Sequence, residues 1–223
     1  MGVKTMGPPA QFIDLLRAEF GLDVFVETGT FLGNTAVWAG RRFERVYTIE
    51  AYRPNYDKAV LEHGRASNIR FLHGNSAELL PGVLEEIQAN ALFWLDAHWM
   101  GMGSHGENSE CPLLKELQHI NHSASTHFIL IDDARLFLAP PPLPHNADHW
   151  PTIGEVLGEL QKKQRYTVVH DDVIASVPAE ARGVVAAWVQ QQTTRQWHEH
   201  ARPASGFGRW LARLIRGVRG EGQ

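Results

Sequence analysis

The chain has 223 residues, a formal net charge of −4 and an isoelectric point near 6.3, so its charge gives no general reason to expect a nucleic-acid partner. Its 43% hydrophobic and 21% charged residues are typical of a soluble globular protein. The one cysteine, Cys111, excludes an intramolecular disulfide, and no apolar run is long enough to span a bilayer. With no signal peptide before the first predicted helix, we expect a cytoplasmic protein built on one α/β domain.

Predicted strands and helices alternate along the first three quarters of the chain. Strands are predicted at 24–26, 46–50, 69–72, 91–95, 128–131, 166–170 and 173–177. Helices are predicted at 12–20, 34–42, 54–63, 76–87, 112–120 and from Thr152, with Ser76 and Thr152 as caps. The first five strands are continuously apolar, which indicates a parallel sheet covered on both faces. The last two form a hairpin, so we predict a Rossmann-like three-layer α/β sandwich, mostly parallel with a final antiparallel strand.

The pattern changes near residue 178 and predicts a domain at 1–178 followed by a helical extension at 179–223. A helix that starts near Ala181 is expected to give way to a polar stretch holding His198 and His200. The extension ends in a basic amphipathic helix over 207–218. This helix is expected to contact a partner protein or pack on the domain, and a peripheral membrane contact is the open alternative.

The most informative stretch is Val24 to Ala36, which predicts a strand, a turn with two glycines and the start of a helix. Gly29 and Gly33 let the backbone bend sharply and let a ligand approach closely. Asn34 and Thr35 can cap the helix, whose free N–H groups face such a ligand. Three residues separate the glycines, so the dinucleotide fingerprint G-x-G-x-x-G is absent and a nicotinamide oxidoreductase is disfavoured.

Acidic residues follow the apolar part of four predicted strands. They are Glu27, Glu50, Asp96 and the pair Asp132-Asp133. Because parallel strand ends meet at one edge of a sheet, we expect these carboxylates to lie close together. Glu50 can bind two ribose hydroxyls, and the three aspartates offer oxygen ligands to Mg²⁺ or a similar divalent cation. A turn or helix-capping role is the alternative for the Asp132-Asp133 pair.

Several nearby residues have two interpretations each. Arg135 could bind an anionic acceptor or only screen the acids beside it, and His98 could act as a base or simply pack. The loop that ends at Glu110 and Cys111 matches no zinc spacing, which favours a mobile lid over a second metal site. His170 and the two aspartates after it are expected to form an exposed turn.

Five landmarks in order resemble those of class I S-adenosylmethionine-dependent methyltransferases. They are Val26-Glu27-Thr28-Gly29-Thr30-Phe31-Leu32-Gly33-Asn34-Thr35, Thr48-Ile49-Glu50, Gly74-Asn75-Ser76, Leu95-Asp96 and Ile131-Asp132-Asp133. Within that class the chain is most similar to the metal-dependent O-methyltransferases typified by catechol O-methyltransferase. The resemblance covers the chain from about Phe12 to Val177.

The resemblance implies a set of cofactor and metal contacts. The residues implied to bind S-adenosylmethionine are Glu27, Gly29, Phe31, Gly33, Thr35, Glu50, Asn75, Ser76 and Asp96. Within that set, Glu50 would bind the ribose, Asn75 and Ser76 would lie against the adenine, and Asp96 would lie near the sulfonium. Asp96, Asp132 and Asp133 would hold the divalent cation.

The chain also departs from the catechol-type pattern. Trp99 occupies the position of the lysine general base, which leaves His98 as the candidate base and Asp96 as the second catalytic residue. We therefore predict a metal-assisted methyltransferase acting on a sugar or small natural-product hydroxyl, with no nucleic-acid partner. A metal-dependent hydrolase and a catalytically silent cofactor-fold binding module are the alternatives. The sequence leaves open whether the chain forms a homo-oligomer.

Overall fold

The structure is a computed structural model that describes residues 7–99 and 110–201. The strands are β1 Val24–Thr28, β2 Arg45–Glu50, β3 Ile69–His73, β4 Leu92–Leu95, β5 Phe128–Ile131, β6 Arg165–His170 and β7 Val173–Pro178. The helices are α1 Ala10–Phe20, α2 Asn34–Gly40, α3 Arg53–His63, α4 Ser76–Glu86, α5 Leu113–His122, α6 Arg135–Leu138, α7 Ile153–Leu160 and α8 Arg182–Ala201. This order agrees with the predicted alternation, apart from the short α6, which was not predicted.

All seven strands form one sheet in the order β3-β2-β1-β4-β5-β7-β6. Strands β1 to β5 pair in parallel, whereas β7 pairs antiparallel with both β5 and β6. The predicted fold class is therefore confirmed. The hairpin adds β7 next to β5 and leaves β6 at the edge, an order that the sequence pattern does not determine.

Alternate residues of the central strands pack on opposite helix layers. Val24 and Val26 of β1 are buried in one cluster with side chains of α4, α5 and α7. Phe25 between them is fully buried against Trp38 and Phe43, with ring centroids 6.2 and 5.1 Å away. Complete burial of a side chain of this size stabilises a fold by roughly 1.5–3 kcal/mol. Both faces of the sheet are thus covered, as continuously apolar strands require.

Two helix starts differ from the predictions. The N-cap position of helix α2 is Gly33, which has a φ of +81° and no side chain that could bond to the helix N–H groups. Asn34 and Thr35 therefore already lie within the helix. Helix α4 is capped by Asn75, whose side chain accepts a hydrogen bond from the Ala77 N–H at 2.9 Å, and Ser76 is its first residue. The backbone conformation before each helix, which composition does not reveal, decides which residue is the cap.

The described residues divide into two compact units between Arg182 and Gly183. The described part of the second unit is α8, which continues past His198 to Ala201, where the sequence predicts a polar stretch. The basic helix predicted over 207–218 lies outside the described residues, so its contacts and the predicted domain boundary stay predictions. Among the residues with described structure, none of the helices has the length and apolarity needed to cross a membrane.

A buried histidine lies at the amino-terminal end of β5. His127 is completely buried, its Nδ1 accepts a hydrogen bond from the Ala91 N–H at 3.1 Å, and its Nε2 lies 2.9 Å from the Ser123 hydroxyl. Burial, followed by the charges of Arg165 and Lys163, lowers the pKa of His127 to about 4. The imidazole is therefore neutral in the folded protein at neutral pH.

This neutral histidine predicts a loss of stability in acid. Between pH 6.5 and about 4 the unfolded chain binds a proton at this histidine that the folded chain does not, so stability falls as the pH is lowered through that window. Wild type should lose up to about 3 kcal/mol more than His127→Asn across it. Urea denaturation at a series of pH values measures the difference, and parallel pH profiles would contradict the assignment. Asn keeps an acceptor for the Ala91 N–H.

Candidate functional site

Four strand ends bring the predicted acids to one edge of the sheet. Thr28 of β1 pairs with Ile49 of β2 and with Leu95 of β4, and Leu95 pairs with Ile131 of β5. The acids at or beside these paired positions are Glu27, Glu50, Asp96 and Asp132. The chain thus gathers the carboxylates as the sequence predicts, while the role of each one stays a prediction.

The turn after β1 can exist only because residue 29 is glycine. Gly29 has a φ of +90°, and its N–H donates to the Ile49 carbonyl at 2.9 Å. A Cβ at this position would lie 2.5 Å from the backbone oxygen of Asp96. Absence of a side chain therefore lets the ends of β1 and β4 approach closely, which forms the base of the candidate cofactor site.

Glu50 is fixed in place by backbone donors. Its Oε2 accepts from the Phe31 N–H at 2.7 Å, and its Oε1 accepts from the Tyr52 N–H at 2.8 Å. Burial raises the pKa of Glu50, and these hydrogen bonds oppose that rise. Phe31 itself has a φ of +49° and is 63% exposed, a strained conformation of the kind that occurs at ligand-binding turns. Glu50 is thus preorganised beside an exposed aromatic ring.

Glu27 lies below the turn and is only 1% exposed. The Thr48 hydroxyl donates to Glu27 Oε2 at 2.5 Å, and Thr30 lies 2.6 Å from that hydroxyl. Burial raises the pKa of Glu27 to about 8, although the hydroxyls of Thr48 and Thr35 oppose the rise. Thr35, which the resemblance implies as a cofactor contact, therefore interacts with Glu27 in this structure. The carboxyl group is mostly protonated at neutral pH.

His98 lies between two aspartates. Its Nε2 is 3.0 Å from Asp133 Oδ2 and 3.4 Å from Asp96 Oδ1. Burial favours the neutral imidazole, but the two carboxylates outweigh it and raise the pKa of His98 to about 10. Burial also raises the pKa of Asp96, and burial together with the Asp96 charge raises that of Asp132 to about 7. At neutral pH His98 is therefore a cation, which makes it a poor general base.

Arg135 forms ion pairs with one of these aspartates, Asp133, and with Asp172. Its Nη1 donates to Asp133 Oδ1 at 2.6 Å and also to the Asp172 carboxylate. The Arg135 N–H donates to Asp172 Oδ1 at 3.0 Å. Of the two interpretations of Arg135, the structure favours screening of the acids. Asp172 is only 8% exposed, so the expectation of an exposed turn is wrong for this residue.

The three aspartates do not fit a metal ion in this arrangement. Both oxygens of Asp133 are engaged by Arg135 and His98, and Asp132 Oδ1 accepts the Asp133 N–H at 2.8 Å. Within residues 7–99 and 110–201, no three or more His, Cys, Asp or Glu side chains form a group that could hold a metal ion. The predicted Mg²⁺ is therefore not supported by these contacts.

Two buried acids near the site were not assigned a role from the sequence. Glu116 of α5 is 1% exposed, and burial raises its pKa to about 7, while the hydroxyls of Ser76 and Thr28 oppose the rise. Ser76 is itself buried, whereas Asn75 beside it is exposed. The signal was present, because Glu116 is one helical turn from both Leu113 and Ile120 and so lies on the apolar face of α5.

The second acid, Glu110, joins two segments beside His98. Its Oε2 accepts from the Trp150 Nε1–H at 2.6 Å and lies 2.9 Å from His145 Nδ1, and its Oε1 accepts from the Asn146 N–H at 2.8 Å. The rings of His98 and Trp150 are in contact, with centroids 5.4 Å apart. Glu110 therefore supports the wall on which His98 packs. The predicted lid, from Met100 to Cys111, lies outside the described residues except for Glu110 and Cys111, and it stays a prediction.

Among known proteins, only the comparison with solved structures found matches, and the structures below share this fold. No protein-family model and no curated protein matches the chain. Among solved structures it is similar to the SAH-bound methyltransferase PaMTH1 of Podospora anserina, with 15% identity, a TM-score of 0.52 and coverage of 77% of this chain and 79% of that one. It is also similar to a candidate caffeoyl-CoA O-methyltransferase from Staphylococcus aureus, with 13% identity, a TM-score of 0.54 and coverage of 79% of this chain and 86% of that one. A third similar structure is SMU.1697c, a candidate methyltransferase of Streptococcus mutans in complex with SAH. Its identity to this chain is 9% and the TM-score is 0.51, with coverage of 78% of this chain and 99% of that one.

Gly29→Ala is expected to destabilise the protein strongly. The new Cβ would meet the Asp96 carbonyl at 2.5 Å in a left-handed conformation, so we expect a loss of about 2–5 kcal/mol in the free energy of unfolding. Gly82→Ala is the matched control, because a Cβ within α4 there meets nothing within 4 Å and should be neutral or slightly stabilising. Chemical denaturation of both variants measures the difference, and equal stabilities would contradict the steric role.

Glu110→Gln is expected to weaken the wall beside His98. Glutamine offers one acceptor oxygen where the carboxylate has two, so at least one hydrogen bond to a charged group is lost, at a cost of about 1.5–3 kcal/mol. The exposed Glu85→Gln is the control and should change the free energy of unfolding by less than about 0.5 kcal/mol. If urea denaturation finds no difference between the two variants, Glu110 does not have this role.

Proposed function

We propose that this chain, which has the fold of class I S-adenosylmethionine-dependent methyltransferases, transfers a methyl group from S-adenosylmethionine to a hydroxyl of a small-molecule or glycan acceptor. The observation that carries the proposal is the glycine turn after β1 held against the preorganised Glu50. Two of the similar structures hold SAH, and a third is named for O-methylation. A ligand site beyond the carboxyl ends of parallel strands is general for such sheets.

The cofactor contacts follow from the placement of each element. Glu50 would accept hydrogen bonds from the ribose hydroxyls through lone pairs that its backbone donors leave free. The turn at Gly29, Phe31 and Gly33 would bind the methionine part, where the start of α2 presents N–H groups to its carboxylate. Asn75, at the exposed start of α4, would lie against the adenine, with the buried Ser76 beneath it.

The reaction would be a direct displacement at the methyl carbon. The acceptor oxygen forms a bond to that carbon while the carbon–sulfur bond breaks, which leaves S-adenosylhomocysteine and releases the acceptor proton. Asp96 would take that proton, because its side chain is 32% exposed and the cationic His98 has no free site for one. Before the transfer, the His98 side chain, 3.4 Å away, would hold the Asp96 carboxylate in place. Alignment of the two reactants can contribute about 7–11 kcal/mol.

The acceptor class rests on the departure from the catechol-type pattern. Trp99 stands where a lysine base would be, and its indole is a hydrogen-bond donor only, so it cannot accept a proton in place of that base. A sugar or small natural-product hydroxyl therefore stays the proposed acceptor. The hydrolase alternative would need the same aspartates as metal ligands, which their contacts do not favour. The binding-module alternative differs only in the absence of turnover.

Calorimetric titration with S-adenosylhomocysteine tests the cofactor assignment. We expect wild type to bind, and Glu50→Ala to bind at least about tenfold more weakly, because hydrogen bonds to a charged group contribute about 1.5–3 kcal/mol. Glu19→Ala removes an exposed acid from α1 and should bind like wild type. Absence of binding to wild type, or equal affinity of the Glu50 variant, would contradict the assignment.

Transfer of a radiolabelled methyl group to a library of glycans and phenols then tests the reaction. Turnover by wild type that Asp96→Asn lowers supports the proposal. Binding of S-adenosylhomocysteine without transfer to any acceptor would instead favour the binding module, and release of phosphate from phosphoesters would favour the hydrolase.

A further inference from the structure

We infer that Asp133, at the end of β5, is neutralised from within by Arg135 and packed against His98, and that this site does not hold a divalent cation. The inference goes beyond the proposed function, since a cation site is a property of the folded chain alone. Only its consequence, that methyl transfer needs no metal, rests on that function.

Asp133 is the residue on which the inference depends. Its Oδ1 accepts from Arg135 at 2.6 Å, and its Oδ2 lies 3.0 Å from His98 Nε2. Each oxygen keeps a free lone pair, but a magnesium ion bound there at about 2.1 Å would lie close to the Arg135 guanidinium, and repulsion between the two positive charges would oppose its binding. A metal ion on either oxygen of Asp133 would thus lie next to Arg135 or His98.

Arg135 also pairs with a second acid, Asp172, which would lose its counter-charge if the Arg135 side chain moved away. Asp172 is 8% exposed and accepts from both the side chain and the backbone N–H of Arg135. The Ala134 N–H donates to the Asp172 carbonyl at 2.8 Å, so the backbones of the two segments are also joined. Removing the guanidinium would leave the buried Asp172 carboxylate without a counter-charge, which would destabilise the fold. A metal at Asp133 would therefore compete with the ion pairs that Arg135 makes to Asp133 and Asp172.

The backbone holds Asp133 in the same orientation. Its φ is +55°, and its N–H donates to Asp132 Oδ1 at 2.8 Å, so one oxygen of the neighbouring acid is also occupied. The Asp133 carbonyl accepts from the Leu136 N–H at 2.8 Å. Such a conformation persists only when its surroundings determine it, and here these hydrogen bonds do so.

Titration with Mn²⁺, followed by calorimetry and by the electron paramagnetic resonance of the free ion, tests the inference on the full chain. Wild type should show no saturable binding up to millimolar Mn²⁺, and its thermal unfolding should not change with Mn²⁺ or with a chelator. Arg135→Gln should gain at least about tenfold in Mn²⁺ affinity, because it frees Asp133 Oδ1 and removes a positive charge.

Arg182→Gln is the matched control, since Arg182 lies over the ring of Tyr166 and not at the acids, and it should behave like wild type. Saturable binding of Mn²⁺ to wild type that Asp133→Asn abolishes would overturn the inference, as would a folded Arg135→Gln with no gain. The wild-type titration decides the question even if Arg135→Gln fails to fold. It uses no methyl donor, so a failure of the proposed function leaves its result valid.

Discussion

The requirement that buried carboxylates be neutralised determines how this sheet edge is built. A parallel sheet places its strand ends together, and this chain ends several of them in acids. Each acid is stabilised differently: Glu27 by a proton and the Thr48 hydroxyl, Glu50 by two backbone N–H groups, and Asp133 by two cationic side chains. Unpaired charges at such depth would be strongly destabilising, so these contacts are a condition for the fold itself.

The same contacts separate the edge into two regions with different chemistry. Around β1 and β2 the acids are held by uncharged donors, which leaves lone pairs for the hydroxyls of a neutral sugar. Around β4 and β5 they are held by Arg135 and His98, which leaves little negative charge to attract a cation. A positively charged methyl donor lying between the two regions would meet Asp96 as the more exposed acid, with 32% of its side chain accessible.

The order of elements and the clustering of acids could be predicted, because apolar runs, glycines and strand-end acids are local signals. Gly29 and the Thr152–Glu155 capping box illustrate this, since both act within a few residues. Long-range partners could not be predicted. Arg135 and Asp172 are separated by 37 residues, and only the antiparallel addition of β7 beside β5 brings them together. For the same reason the acids at the strand ends, taken as a sequence pattern, do not reveal that they already have partners.

One hydrogen bond also bears on how this scaffold could diversify. The Trp99 N–H donates to the Glu110 carbonyl at 2.8 Å, so the chain leaves the sheet and returns at nearly the same point. Closing such an excursion depends only weakly on its length, because the entropy of loop closure grows logarithmically. Residues 100–109 could therefore be exchanged, lengthened or shortened during evolution, or by grafting, with little effect on the strands on either side.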